Sequence, residues 1–561
     1  MADPNPVRGS DDVLFRDDFE AFDTSAVPQA RRVLERLSYG ATPESQAEFL
    51  ALGADDAARL QVWVDQQLDP ASIDDSACSA LIQSGGYQTL NKTLAQLWAD
   101  HIRGSQNSGL ARRLPVVETD ARRLILASCS RRQLYERMVE FWHDHFNVFG
   151  WDFTIQAVFV HHDRDVIRPH ALGNFRQMLE AVASSTAMLY YLDNRASRAG
   201  AFNENFAREL LELHTMGAEV YYATNDPDQV PVGPDGVKLG YSDWDVYEAA
   251  RAFTGWTVAN GHWQFPSEPQ FDSGEFLYWA PWHDAAGKFF LGEFILPNRP
   301  ALEDGWTVLD RLVAHPATAR HVCRKLIRRF VADQAPEALV ESAAAVFRAH
   351  TAAPDQIARV LRHILLDPAA FGPGSAKIKR PYEQIAGALR KTGATPVPVN
   401  FSDWNPWGEF FNRLQQTGHG SFRWPAPNGY PDETASWSSS SVLGQSWRLL
   451  SRLPQMEQDG EPLLPILART LAAFPDAAER TPRNLVDFWI DRALGHSPAP
   501  ARRQQLIDFL RQNGSADDPL DLVTDAPFGF WSANNLSRHY NGARLNATVA
   551  LILSLPEVLQ R

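Results

Sequence analysis

The apolar and polar positions of residues 203–217, NENFARELLELHTMG, sort by helical phase. At about 100° per residue, Asn205, Arg208, Glu209 and Glu212 fall on one arc of roughly 100°. Phe206, Leu210 and Leu213 fall on a neighbouring arc, and Leu211 and Ala207 widen the apolar side. The pattern predicts an amphipathic helix whose polar side carries two carboxylates one turn apart, with an arginine and an amide beside them. Such an array can shift a carboxyl pKa or hold a polar ligand. The plainer alternative is a solvated surface with Arg208 paired to Glu212 at i,i+4. His214 falls nearly opposite the carboxylates, so one ion cannot be chelated by Glu209, Glu212 and His214 together.

Helical periodicity continues through most of the chain. AVPQARRVLERLSYGATPESQAEFLALG reads as two short helices broken at Gly40, the second opened by Thr42-Pro43. SRRQLYERMVEFWHDHF reads as one long helix, and TVLDRLVAHPATARHVCRKLIRRFVAD opens a further helical set. Two tracts, 218–300 and 396–442, break this texture with Gly, Pro, Asp and aromatic residues. The first holds strand-like pieces, TVANGHWQF and GKFFLGEFIL, and a helix at SDWDVYEAARAFTGW. The expected fold class is mainly α: a multi-helical single body over 28–555 with two long loop-rich, partly β excursions within it. An irregular, acidic, proline-bearing arm over 1–27 precedes it. Function is expected in the two excursions, because exposed connections carry it disproportionately.

Composition removes some classes. The 44% apolar and 22% charged content is that of an ordinary globular protein, and a net charge of −15 argues against a nucleic-acid groove. No apolar run is long enough to span a membrane. The start lacks the basic and apolar regions of a signal peptide, which places the sequence as it stands in the cytoplasm. A periplasmic or extracellular location follows if a leader has been removed. Cys78, Cys129 and Cys323 are odd in number and far apart, so neither a disulfide framework nor a CxxC metal site is expected.

Two kinds of chemistry remain. FWHDHF contributes His143 and His145, which can share an ion only if the helix ends at Trp142 and the chain then extends. With His162 and His283 they form the candidate ligand set for a divalent transition metal, though HExxH is absent and no spacing selects a set. No cofactor is fixed by the sequence. Trp256, Trp263, Trp279 and Trp282 lie in the first excursion, and Trp404, Trp407, Trp424 and Trp437 in the second. Indoles in polar loops suit stacking on a pyranose, and equally suit plugging irregular loops onto a helical body. GxSxG, GxxxxGK[ST] and GxGxxG are all absent.

With these segments in order, the chain resembles the bacterial DUF1800 family. The likeness rests on RVLERLSYGAT, FWHDHFNV, IRPHALGNFRQML, AMLYYLDN, NENFARELLELHTMG, DVYEAARAFTGW, HDAAGKFFLG, HPATARHVCRKL and NGYPD, from about residue 30 onward. What the resemblance implies is limited: a family without an established activity, often exported, often accompanied by a second, sulfatase-like uncharacterised protein.

The leading expectation is an enzyme, hydrolase-like, acting on a glycan or glycan-like polymer by carboxylate acid/base chemistry. Glu209, Glu212 and Asp284 are the candidate catalytic groups, with Asp243, Asp245 and Asp432 in reserve. Asn205, Arg208, Trp256, Trp282, Trp424 and Asp432 are the candidate substrate contacts. The alternatives are a metal-dependent oxidoreductase or hydrolase with a His/carboxylate site, and a non-catalytic partner of an exported sulfatase-like protein. The leading reading expects Asn205, Glu209 and Glu212 to face an internal polar cavity. It also expects the two excursions to converge, Trp282, His283 and Asp284 opposite the Arg423–Asp432 segment.

Overall fold

The structure, a computed structural model, describes residues 27–561 except 105–108, 235, 372–376, 403–404, 513 and 524–539. The expected arm up to residue 26 and Trp404 lie outside the described residues. The protein is 59% helical and its strands form only two-stranded pairs, so its fold class is mainly α.

Local sequence accounts for the helix ends. The break at Gly40 separates Gln29–Leu37 from Pro43–Leu50, and Thr42 caps the second in a reciprocal bond pair with Ser45. The helices that position the site are α1 (Gly109–Cys129), α2 (Gln133–His145), α3 (Glu204–Glu209), α4 (Asp243–Ala252), α5 (Pro316–Phe330) and α6 (Pro381–Thr392). Ser242 caps α4 by the same box with Asp245. In the first excursion Trp256–Val258 pairs antiparallel with Phe276–Tyr278, and Lys288–Phe290 with Glu293–Ile295.

Residues 203–217 depart from one regular helix. After α3 the chain widens into a π turn over Leu210–Thr215, where Thr215 Oγ1 donates to the Leu210 carbonyl at 2.6 Å and Met216 N to Leu211 at 2.9 Å. The wider turn buries Leu210, Leu211, His214 and Thr215 together while Glu212 stays half-buried. Such turns recur at functional sites.

The apolar interior forms two large clusters. One gathers residues such as Val33, Leu134, Phe175 and Leu326; the other gathers Tyr39, Tyr382, Leu389, Trp489 and Val549. Helix α1 feeds both, through Val116 and through Leu124. A buried ionic lattice adjoins them. Glu140 accepts from Arg123 at 2.8 Å, Arg137 at 3.0 Å, Arg329 at 3.1 Å and Arg380 at 2.8 Å. Glu383 accepts from Arg137 at 2.7 Å, Arg380 at 3.2 Å and Arg561 at 3.0 Å. An unpaired carboxylate at such depth costs several kcal/mol, roughly, so each is met by more than one guanidinium.

One sequence expectation is corrected here. Cys78 and Cys129 form a disulfide across 51 residues, because the helix Ser76–Ser84 packs against α1. Wide spacing concealed the pair. Cys323 is a buried free thiol.

Candidate functional site

Glu209 closes α3 and Glu212 follows one turn later, both half-buried. Among the described residues neither carboxylate has a hydrogen bond or an ion pair. Arg208, the nearest cation in sequence, turns away to Asp243 at 3.3 Å and Glu204 at 3.6 Å, so the Arg208–Glu212 pair of the plainer reading does not form. Tyr221 reinforces that diversion by donating to Asp243 at 2.8 Å. Burial, and then the charge of Glu212, push the Glu209 carboxyl up to about 7, with Arg208 only partly offsetting them. Asn205 does not share the setting: it is exposed at the first turn of α3 and does not face an internal cavity as expected.

The neighbours of Glu209 tie it to the second excursion. Tyr191, on which the Glu209 charge acts, donates to the Pro425 carbonyl at 2.7 Å. Asn147 Nδ2 donates to the carbonyls of Trp424 at 3.1 Å and Ala426 at 2.7 Å. Residues 424–426 are thus held from the side that carries the carboxylate pair.

The other end of that segment closes a cavity of about 180 Å³, lined among others by Asp144, His145, Lys325, Asn428, Tyr430 and Asp432. Asp144 and His145 come from the end of α2 and Lys325 from α5. Gly429 makes the approach feasible: its φ is +70°, and a Cβ there would run into the backbone of Asp144. Arg329 holds Asp432 at 2.5 Å, and Arg380 holds Asp144 at 2.7 Å. His145 Nε2 donates to the His214 carbonyl at 3.1 Å. Burial, with Lys325, His321 and His214 adding to it, holds that imidazole well below its ordinary value, so the ring is neutral.

The other sequence candidates lie apart. Helix α2 continues through His145, which sets its two histidines on different sides. His143 binds Asp163 at 2.8 Å, His162 approaches Ser185 at 3.0 Å, and His283 sits between the Thr254 carbonyl at 2.9 Å and Asp304 at 3.2 Å. His143, His145, His162 and His283 therefore do not converge, and among the described residues no three His, Cys, Asp or Glu side chains are placed to hold one ion. Asp284 is bridged by Arg251 at 2.8 and 3.2 Å; burial works to raise its pKa, but the Arg251 and Ala286 hydrogen bonds hold it below its usual range. That is a paired anion, remote in its contacts from Glu209.

Most of the indoles are plugs. Trp256 packs against Phe253 and Phe276, Trp407 and Trp437 are buried, and Trp282 is buried while donating to Gln264. Trp424 stays half-buried beside Tyr430, and Trp263 is 82% exposed. Among the described residues no hydrogen bond, ion pair or ring contact joins Trp282, His283 or Asp284 to the Arg423–Asp432 segment. Trp282, His283 and Asp284 find partners in Thr254, Gln264, Arg251 and Asp304, whereas Arg423–Asp432 docks on Trp151, Asn147, Tyr191 and Arg329.

Sequence reasoning missed the roles of Asn147, Tyr191, Lys325, Arg329 and Arg380. Lys325 and Arg329 stand in RHVCRKLIRRF, which reads as the charged side of a helix. Asn147 and Tyr191 stand in FWHDHFNV and AMLYYLDN, and that placement was the available signal. A family model described as protein of unknown function (DUF1800) matches residues 32–559. No curated protein and no solved structure matches the chain.

Proposed function

We propose that this chain, which belongs to the DUF1800 family, is an enzyme acting on a glycan by carboxylate acid/base chemistry at Glu209 and Glu212. One observation carries the reading: among the described residues two half-buried carboxylates, one turn apart, have no hydrogen bond or ion pair, while buried carboxylates such as Glu140, Glu383 and Glu35 are each met by several cations. A structural role would have recruited Arg208, and Arg208 is directed elsewhere.

Glu209 carries a proton up to near neutral pH, as a group that protonates a leaving oxygen must. In this reading Glu212 serves as the second carboxyl, activating water or attacking the anomeric carbon. Tyr191, beside Glu209, and the half-buried indole of Trp424, in the loop that Tyr191 grips, offer ring surface to a sugar. Asp284, Trp256 and Trp282 take no part in this version, since each is engaged structurally. The Cys78–Cys129 disulfide supports an oxidising compartment, periplasmic or extracellular, as the place of action.

The test is a panel of oligosaccharides assayed for release of reducing ends, with wild type and Glu209→Gln in parallel. The expected result is turnover by wild type and a loss of about 10²–10⁴-fold in Glu209→Gln, with a melting temperature no lower than that of wild type. Equal turnover by both proteins would sink the assignment.

A further inference from the structure

The lysines buried in this protein are paired. Lys288 reaches Asp304 at 2.6 Å, Lys379 and Lys391 reach Glu35 at 2.6 and 2.9 Å, and Lys377 reaches Asp333. Lys325 is different. It lines the cavity at the end of α2, and among the described residues it makes no ion pair. The two aspartates beside it are already claimed: Asp144 by Arg380, and Asp432 by Arg329.

Two further groups in the same cavity are left incomplete. Among the described residues Arg328, one turn along α5 from Lys325, makes no ion pair, and its buried Nε has no partner. His145 is 1% exposed; its Nε2 proton goes to the His214 carbonyl, and among the described residues its Nδ1 has no partner. A neutral imidazole that donates from Nε2 presents a lone pair at Nδ1, so this wall asks for a donor. The cavity thus offers two cationic donors and one acceptor. Glu433 stands exposed at its edge, and the other two acids are neutralised by their arginines.

A ligand that completes all three groups carries an anionic oxygen and a hydroxyl on one small frame. Volume sets the size: about 180 Å³ is below the range of a drug-sized pocket and suits one ring. We propose that this cavity binds an acidic sugar unit, its anionic group between Lys325 and Arg328 and a hydroxyl donating to His145 Nδ1. This rests on the glycan reading above and names the substrate class. The segment 424–432 joins the two places, gripped at Pro425 from the Glu209 side and at Asp432 from the cavity side. An acidic unit in the cavity therefore orients the neighbouring part of the chain toward the carboxylate pair. Burial brings the Lys325 ammonium down to about 8, with Asp432 and Asp144 countering it, so a seated anion relieves a real cost.

The experiment is calorimetric binding to the full chain carrying Glu209→Gln, so that nothing turns over. The titrants are a hexuronate-containing oligosaccharide, a sulfated one and a neutral one of equal length. The acidic sugars are expected to bind at least about tenfold more tightly than the neutral one. Which of the two binds better identifies carboxylate or sulfate as the source of the anion. Lys325→Met should remove that preference and Lys325→Arg should restore part of it. Affinity should fall as pH rises through about 8, where the ammonium is lost. If Lys325→Met does not fold, protection of Lys325 from amine acetylation by the acidic sugar in the Glu209→Gln protein is the substitute readout, expected to be strong. Equal affinity for acidic and neutral sugars, or no protection, overturns the proposal. Because the readout is binding, it stands or falls separately from hydrolysis: turnover of neutral glycans alone would keep the acid/base reading and reject this one.

Discussion

Arg329 of α5 meets Asp432 of the second loop tract at 2.5 Å, and the same guanidinium reaches Glu140 at 3.1 Å and Asp144 at 3.4 Å. The arginine is fully buried, so one side chain fixes the loop that closes the cavity to the helix that supplies its wall. Three carboxylates depend on it, which makes the contact a structural commitment and not a surface latch.

Replacing Arg329 by Met should therefore destabilise the protein by about 3–5 kcal/mol, the range for stranding buried partners of an ion pair. Urea unfolding would measure it. A change below about 1 kcal/mol would mean that Arg380 alone carries the neighbouring carboxylates.

Glu209 gives a pH signature with a definite sign. Its folded pKa of about 7 lies above the ordinary 4.5, so over that window the folded protein binds more protons than the unfolded chain. Stability must then fall as pH rises from about 4.5 to about 7, the loss being complete above. The difference in unfolding free energy between wild type and Glu209→Gln should slope in that window and be flat on either side. If Glu209 is the proton donor, the rate should also decline through about pH 7. A flat difference curve would remove the basis for both statements.

At Gly429 the prediction separates two costs. Gly429→Ala must adopt a left-handed φ and also intrude on the Asp144 backbone, whereas Gly418→Ala has the φ alone, with open space around its Cβ. Gly418→Ala should cost about 1–2 kcal/mol, and Gly429→Ala clearly more, with loss of ligand binding in the cavity. Comparable losses at the two positions would show that the close approach to α2 is dispensable.

The tryptophans should divide by burial and not by their shared place in loops. Trp256→Ala should lose about 3–5 kcal/mol, since the ring is 1% exposed, while Trp263→Ala should stay within about 0.5 kcal/mol. Thermal melts of the two variants are sufficient to decide it.

What the sequence made legible follows from range. The Gly40 break, the Thr42-Pro43 helix start, the helix at SDWDVYEAARAFTGW and the strand-like GKFFLGEFIL depend on residues a few positions apart, and period and capping report them directly. The carboxylate pair was legible for the same reason. The Cys78–Cys129 bond and the Arg329–Asp432 and Arg561–Glu383 pairs join distant segments, and no local pattern encodes them. Lys325 was unreadable in another way. A cation among cations on an amphipathic helix looks solvated until its neighbours are known. The π turn after α3 was equally hidden, because propensity does not distinguish a widened turn from a regular one.

The reach of Glu383 also constrains how the protein is made. Its carboxylate collects Arg137, Arg380 and Arg561, so a nascent chain ending before Arg380 presents Arg137 without Glu383 and leaves Glu140 short of Arg380. The interior around α2 cannot settle while it is being translated; its charges wait, hydrated, for segments that emerge hundreds of residues later. Assembly of this ionic lattice is therefore expected to complete only after the last of these segments has been made. Ribosome-stalled chains released before and after residue 561 should differ sharply in protease resistance across α2, although the sequence of α2 itself is identical in both.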